Sequence, residues 1–112
     1  MNPNELMNKL NNAINQLDEL NEELKELSRI KAETEKKYKI ARSRIITKLR
    51  TTGTPVGIIK EIADGDVAEL EFEKQIAENN YYITLSAIDN LRAEIEVYRT
   101  LLSWLRAEYL NS

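Results

Sequence analysis

Residues 67–109, VAELEFEKQIAENNYYITLSAIDNLRAEIEVYRTLLSWLRAEY, keep a seven-residue pattern from end to end. Positions separated alternately by three and four residues form one seam, and most of the side chains along it are apolar or aromatic. The seam consists of Val67, Leu70, Lys74, Ala77, Tyr81, Thr84, Ile88, Leu91, Ile95, Tyr98, Leu102, Leu105 and Tyr109. This spacing is typical of a coiled coil and predicts one long helix over residues 66–110.

The first half of the chain has a seam of its own. Apolar residues recur at the same alternating spacing at Leu6, Leu10, Ala13, Leu17, Leu20, Leu24 and Leu27. The register continues in weaker form to Lys48. Asn4 is a suitable N-cap, and Gly53 is a suitable stop. The sequence therefore predicts a first helix over residues 4–51, nearly as long as the second.

The connection over residues 52–65 contains a predicted short helix. Thr54 would cap it, Pro55 would occupy its first position, and Gly65 would end it. Asp66 would then open the second long helix through a capping box. Three isoleucines of the short helix would close the tip over the core: Ile58, Ile59 and Ile62.

Two helices of matched length with a short connection fold back antiparallel. The sequence therefore predicts an all-α protein with one domain, residues 1–112, built as a long antiparallel helical hairpin with a short helix at the tip. The best apolar layering places Leu17 opposite Tyr98 and Tyr38 opposite Ala77.

A second apolar stripe runs along the second helix, off the seam. Its members are Phe72, Ile76, Ile83, Val97, Leu101 and Trp104. A helix in a two-helix hairpin has one neighbour, so nothing within the chain would bury this stripe. The favoured interpretation is a homo-oligomer interface, with two hairpins forming a dimeric four-helix bundle. The alternative is a groove for a different protein, with Trp104 as the anchor.

Basic residues are concentrated near the predicted tip. Residues 36–60 contain eight basic side chains and no acidic one. Candidate nucleic-acid contacts are Lys36, Lys37, Lys39, Arg42, Arg44 and Lys48. The antiparallel neighbour of this block would be the acidic start of the second helix, whose carboxylates are expected to pair with much of the positive charge. Nucleic acid is therefore the less favoured partner.

Composition limits the chemistry of the chain. It contains no cysteine and no histidine, which are the usual ligands for transition metals and the usual nucleophile and general base. Its three glycines do not form a phosphate-binding loop. No cofactor, metal or enzymatic activity is predicted. A secretory signal and a membrane span are not expected either, which favours a cytoplasmic location.

The central region resembles small helical proteins of phages and prophages of Gram-positive bacteria, a group generally of unknown function. The similarity extends over roughly residues 36–102. It rests on Tyr38-x-x-Ala41-Arg42, Leu49-Arg50-x-x-Gly53-x-Pro55-x-x-Ile58, Ile62-Ala63-x-Gly65, Ala77-Glu78-x-x-Tyr81 and Ile88-x-x-Leu91. The resemblance implies a phage or prophage origin and a setting in the host cytoplasm, and it implies no site residues.

Three functions remain open from the sequence. The favoured one is a non-enzymatic, self-associating adaptor, scaffold or modulator that binds another phage or host protein. The second is an accessory nucleic-acid-binding factor in phage DNA replication or recombination. The third is an inhibitor of a host enzyme that uses the acidic ends of the hairpin.

Overall fold

The computed structural model describes residues 2–111 and contains three helices. Helix α1 is Pro3–Thr51, α2 is Val56–Asp66 and α3 is Ala68–Asn111. No strand occurs among the described residues. The predictions of an all-α chain and of two long helices with a short helix between them are confirmed. None of these helices contains a stretch apolar enough to cross a membrane.

The N-cap of helix α1 lies two residues before the predicted one, and the helix itself begins at Pro3. The Glu5 backbone N–H donates to Asn2 Oδ1 at 2.8 Å, so Asn2 is the residue that caps the helix. Pro3 follows at the first helical position, where its missing N–H leaves no hydrogen bond unmade. The prediction that Asn4 is the cap was wrong, because the capping geometry favours the residue before this proline.

Helix α1 ends at a glycine, as predicted. Gly53 has φ of +79°, a left-handed backbone conformation that residues with a Cβ atom rarely adopt. The Thr54 N–H donates to the Leu49 carbonyl at 3.1 Å, and the Gly53 N–H donates to the Arg50 carbonyl at 3.4 Å. These two bonds form a Schellman motif, which satisfies carbonyls that the end of the helix would otherwise leave free.

The boundaries of α2 differ from the predicted ones. Pro55, and not Thr54, is the N-cap residue, and its ψ of 132° is extended. The helix continues through Gly65 to Asp66, and the Val67 N–H donates to the Ala63 carbonyl at 3.1 Å. Val67 is the one residue between α2 and α3, with φ of −106° and ψ of 12°. Since Asp66 is itself helical, it cannot be the N-cap of α3, and the predicted capping box there was wrong.

The chain divides into two compact units. Unit 1 comprises Met1–Lys25 and Ile83–Ser112, and unit 2 is Glu26–Tyr82. Each of the two long helices contributes to both units. The assignment of residues 1–112 to a single domain stays a prediction.

Unit 1 has a core made from both long helices. Leu10 and Ala13 of α1 form a buried cluster with Leu91 and Ile95 of α3, and other seam residues pack around it. Ile14 and Leu17 lie beside Ile95, whereas Leu20, further along α1, lies beside Leu91. This order makes the two helices antiparallel within unit 1, as the predicted hairpin requires.

Unit 2 contains the rest of α1, all of α2 and the start of α3. Its buried apolar residues are Ile59, Ala63, Val67 and Ala77. The tip is less closed than predicted. Ile59 is buried, but Ile58 and Ile62 remain exposed.

Two lysine–tyrosine contacts define the register in unit 2. Lys74 Nζ lies 5.1 Å from the centre of the Tyr38 ring, and Lys31 Nζ lies 5.8 Å from the centre of the Tyr81 ring. The predicted pairing of Tyr38 with Ala77 is therefore displaced by three residues along α3. The observed register gives both tyrosine rings a cation, a contact worth about 0.5–2 kcal/mol.

Candidate interaction site

The predicted interface residues remain uncovered. Val97 is 56% exposed, Trp104 is 64% exposed, and Leu101 between them is half-buried. Successive steps of four and three residues place all three on one face of α3. We call Val97, Leu101 and Trp104 the apolar face. It lies in unit 1 beside the core cluster, since Tyr98 and Leu102 of the same turns pack on that cluster.

The other predicted interface residues are less closely grouped. Ile83 also lies in unit 1, but Ser86, Asn90 and Glu94 separate it from the apolar face along α3. Phe72 and Ile76 are exposed in unit 2. The six predicted residues are therefore divided between the two units, four in unit 1 and two in unit 2.

Sequence reasoning missed several exposed apolar side chains. Val56 at the start of α2 is the most exposed of the large apolar residues described, at 87%. Tyr82 and Leu110 are also exposed. None of these residues belongs to a repeating stripe, so periodicity gave no signal for them.

An acidic groove runs along unit 1. Its floor contains Leu20 and Leu91, and three carboxylates line its sides. The polar lining residues are Gln16, Glu19, Glu23, Asn90 and Glu94. No lysine or arginine lines this groove of about 440 Å³, so it is a negatively charged channel with an apolar floor.

Glu94 in the acidic groove has an internal partner. The Tyr98 hydroxyl donates a hydrogen bond to the Glu94 carboxylate one turn away on α3. This bond raises the pKa of Tyr98 above its ordinary value, because the carboxylate stabilises the protonated phenol and repels the phenolate. Glu94 is thus held in place on the rim of the groove.

The predicted nucleic-acid contacts do not form one surface. Lys39 and Arg42 line a groove of about 680 Å³ in unit 2, together with Arg50 and Lys60, which the predicted set omitted. We call this the tip groove. Lys36, Lys37 and Arg44 line a different groove, and Lys48 lines neither of the two. The two sets of side chains extend from α1 on different sides of the seam. Membership of the basic block alone did not reveal this division.

Only two of the predicted contacts have ionic partners within residues 2–111. Arg42 Nε donates to Asp64 Oδ1 at 3.0 Å, which ties α1 to α2. Lys39 Nζ lies 3.2 Å from a Glu35 carboxylate oxygen and lowers the pKa of Glu35. Among residues 2–111 no ion pair joins the basic side chains of residues 36–60 to the acidic start of α3, so the pairing expected there is absent. Glu78 pairs instead with Lys74 of its own helix, at 3.6 Å.

The described residues hold no cluster of three or more acidic side chains with metal-binding geometry. The geometry thus offers an apolar face, an acidic groove and two basic grooves. No family model, curated protein or solved structure matches the chain.

Proposed function

We propose that this chain is a non-enzymatic, self-associating helical protein that acts through protein–protein contacts as an adaptor, scaffold or modulator. The observation that supports this proposal most is the apolar face of Val97, Leu101 and Trp104, which is left open beside the unit 1 core. Burying apolar surface of this kind contributes roughly 25 cal/mol per Å².

The expected assembly is a dimer. Each long helix of unit 1 has one helical neighbour, so a second pair of helices can cover the apolar face. Two copies packed this way form a four-helix bundle with twofold symmetry. The resemblance to phage and prophage proteins supports a role in the host cytoplasm, with a phage or host protein as a further partner.

Sedimentation velocity tests the proposed self-association. We expect the wild-type chain to sediment as a dimer at tens of micromolar, and the double variant Val97→Ser/Trp104→Ser to sediment as a monomer of 13.0 kDa. Both side chains are exposed, so the variant removes little of the core. Val56→Ser is the matched control, since Val56 is an exposed apolar residue of α2 in unit 2 and is not part of the apolar face, and it should remain dimeric.

Trp104 offers a second measurement because it is the single tryptophan of the chain. Its emission should move to shorter wavelength as the protein concentration rises and the indole is buried. A wild-type monomer whose emission is independent of concentration would contradict the proposal.

The tip groove supports a second candidate function, the binding of nucleic acid. Four cations and two carboxylates, those of Asp64 and Glu71, line it. Arg50 and Lys60 have no ionic partner among residues 2–111. Two hydroxyls, those of Ser43 and Thr47, also line it and could donate to phosphate oxygens. Guanidinium groups and lysine ammoniums are the usual phosphate contacts.

A gel shift with single- and double-stranded oligonucleotides tests this candidate. We expect salt-sensitive binding that Arg50→Glu/Lys60→Glu abolishes. Lys48→Glu is the control for charge, because Lys48 is exposed but does not line the groove. No retention of either oligonucleotide at low salt would exclude this function.

A further inference from the structure

Two grooves, one in each unit, carry opposite charge above apolar floors. The acidic groove of unit 1 presents Glu19, Glu23 and Glu94 above Leu20 and Leu91. A groove in unit 2, of about 520 Å³, presents Lys36, Lys37 and Arg44 beside Ile40, Ala41 and Leu70, with one acidic side chain, Glu33. We call this second channel the basic groove. The carboxylates of the acidic groove are therefore complementary in charge to the cations of the basic groove.

Most of the charged groups of the two grooves are available for a partner. Within the described residues no ion pair involves Glu19, Glu23, Lys36, Lys37 or Arg44. Glu33 and Glu94 are the exceptions, because Glu33 pairs with Arg29 at 2.5 Å and Glu94 accepts a hydrogen bond from the Tyr98 hydroxyl. A groove whose charges already had partners would gain little from a second chain, so this lack of pairing favours intermolecular contacts.

Both grooves use the same heptad positions of α1. With the seam residues as a and d, Glu23, Lys37 and Arg44 all occupy g positions, and Glu19 and Ile40 occupy c positions. On α3 the apolar face occupies c and g positions as well, and so does Glu94. Charges at g and e positions are the ones that set orientation and partner choice in coiled coils.

We propose that the second copy in the self-association proposed above lies antiparallel to the first, with the acidic groove of each copy on the basic groove of the other. This inference rests on the proposed function and adds the orientation and the contact residues. In the parallel alternative Glu19, Glu23 and Glu94 of one copy would meet the same three residues of the other, and like charges brought together are destabilising. The antiparallel arrangement replaces that repulsion with carboxylate–cation contacts, and twofold symmetry provides them twice.

Disulfide trapping tests the orientation, since the natural chain contains no cysteine. We expect Glu23→Cys protein mixed with Arg44→Cys protein to form a mixed disulfide under mild oxidation, identified by intact mass. Glu23→Cys protein alone should give little covalent dimer. Ser43→Cys is the control, because Ser43 lines the tip groove, and it should not be trapped by Glu23→Cys.

Charge reversal provides a second measurement. Lys37→Glu/Arg44→Glu and Glu19→Lys/Glu23→Lys should each weaken self-association by roughly tenfold or more, and mixing the two variants should restore it. Sedimentation of the wild type separates the two proposals. A wild-type monomer overturns the proposed self-association. A dimer that traps Glu23→Cys with itself, or that forms no mixed disulfide, overturns the antiparallel arrangement and leaves self-association standing.

Discussion

Single side chains fix details that the heptad pattern leaves open. Lys31 and Lys74 occupy seam positions where a leucine would be usual, and each places its ammonium over a tyrosine of the other long helix. Long lysine stems can cover apolar surface while the charged group remains at the edge. These two contacts therefore favour one register of α1 against α3 at positions where the apolar pattern is weak.

The Tyr98–Glu94 hydrogen bond gives a prediction at this scale. Because the pKa of Tyr98 is raised in the folded chain, the protonated phenol stabilises the fold, and this stabilisation is complete below the ordinary tyrosine pKa of about 10. It is lost as the pH rises through the higher pKa of the folded state.

The absorbance titration of the tyrosines is expected to show this shift. Glu94→Gln removes the carboxylate, so one tyrosine should ionise at lower pH than in the wild type. Glu96→Gln is the control, because Glu96 bonds to Arg99 and not to a tyrosine. Identical titration curves for Glu94→Gln and the wild type would contradict the claim that Glu94 raises the pKa of Tyr98.

At the scale of helices, the two glycines Gly53 and Gly65 have opposite roles. Gly53 has positive φ and ends α1, whereas Gly65 is helical within α2, and a Cβ added to it would meet nothing within 4 Å. Sequence alone assigned both residues to helix ends. Only the backbone conformation distinguishes them.

Alanine at these two positions should change the free energy of unfolding in opposite directions. Gly53→Ala should lower it by about 1–2 kcal/mol, because alanine resists the left-handed conformation. Gly65→Ala should raise it by about 0.5–1 kcal/mol, because alanine restricts the unfolded chain and favours helix. Urea unfolding followed by circular dichroism measures both, and two changes of the same sign would contradict the distinction.

At the scale of the whole molecule, the two units differ in charge. Unit 1 contains nine acidic and five basic side chains, and unit 2 contains ten acidic and eleven basic ones. The acidic excess is thus confined to one unit. Such an uneven distribution favours the contact of unlike units in an assembly over the contact of like ones.

Self-association predicts a stability that depends on concentration. Since dimer formation favours the folded state by mass action, the Tm of the wild type should rise with protein concentration. The Tm of Val97→Ser/Trp104→Ser should be independent of concentration over the same range. Differential scanning calorimetry at several concentrations measures both, and a wild-type Tm that does not change would count against the dimer.

The sequence by itself determined the helices. Heptad spacing, the run of helix-forming residues and the stop at Gly53 act over a few neighbouring residues, so their outcome needs no knowledge of the rest of the chain. The apolar face of Val97, Leu101 and Trp104 could be predicted for the same reason, since spacing along one helix places these residues together.

Only the tertiary structure decided how the helices meet. Registers that differ by three residues all place apolar side chains against one another, and contacts such as those of Tyr38 and Tyr81 select one of them. Heptad position alone separates Arg42, at an e position, from Lys37 and Arg44, at g positions. Only the packing of α1 with α3 places Glu71 in the groove of Arg42 and Leu70 in the groove of Lys37 and Arg44. Alternative pairings between residues far apart in the chain differ little in free energy. The local sequence pattern therefore does not show which pairing has the lowest free energy.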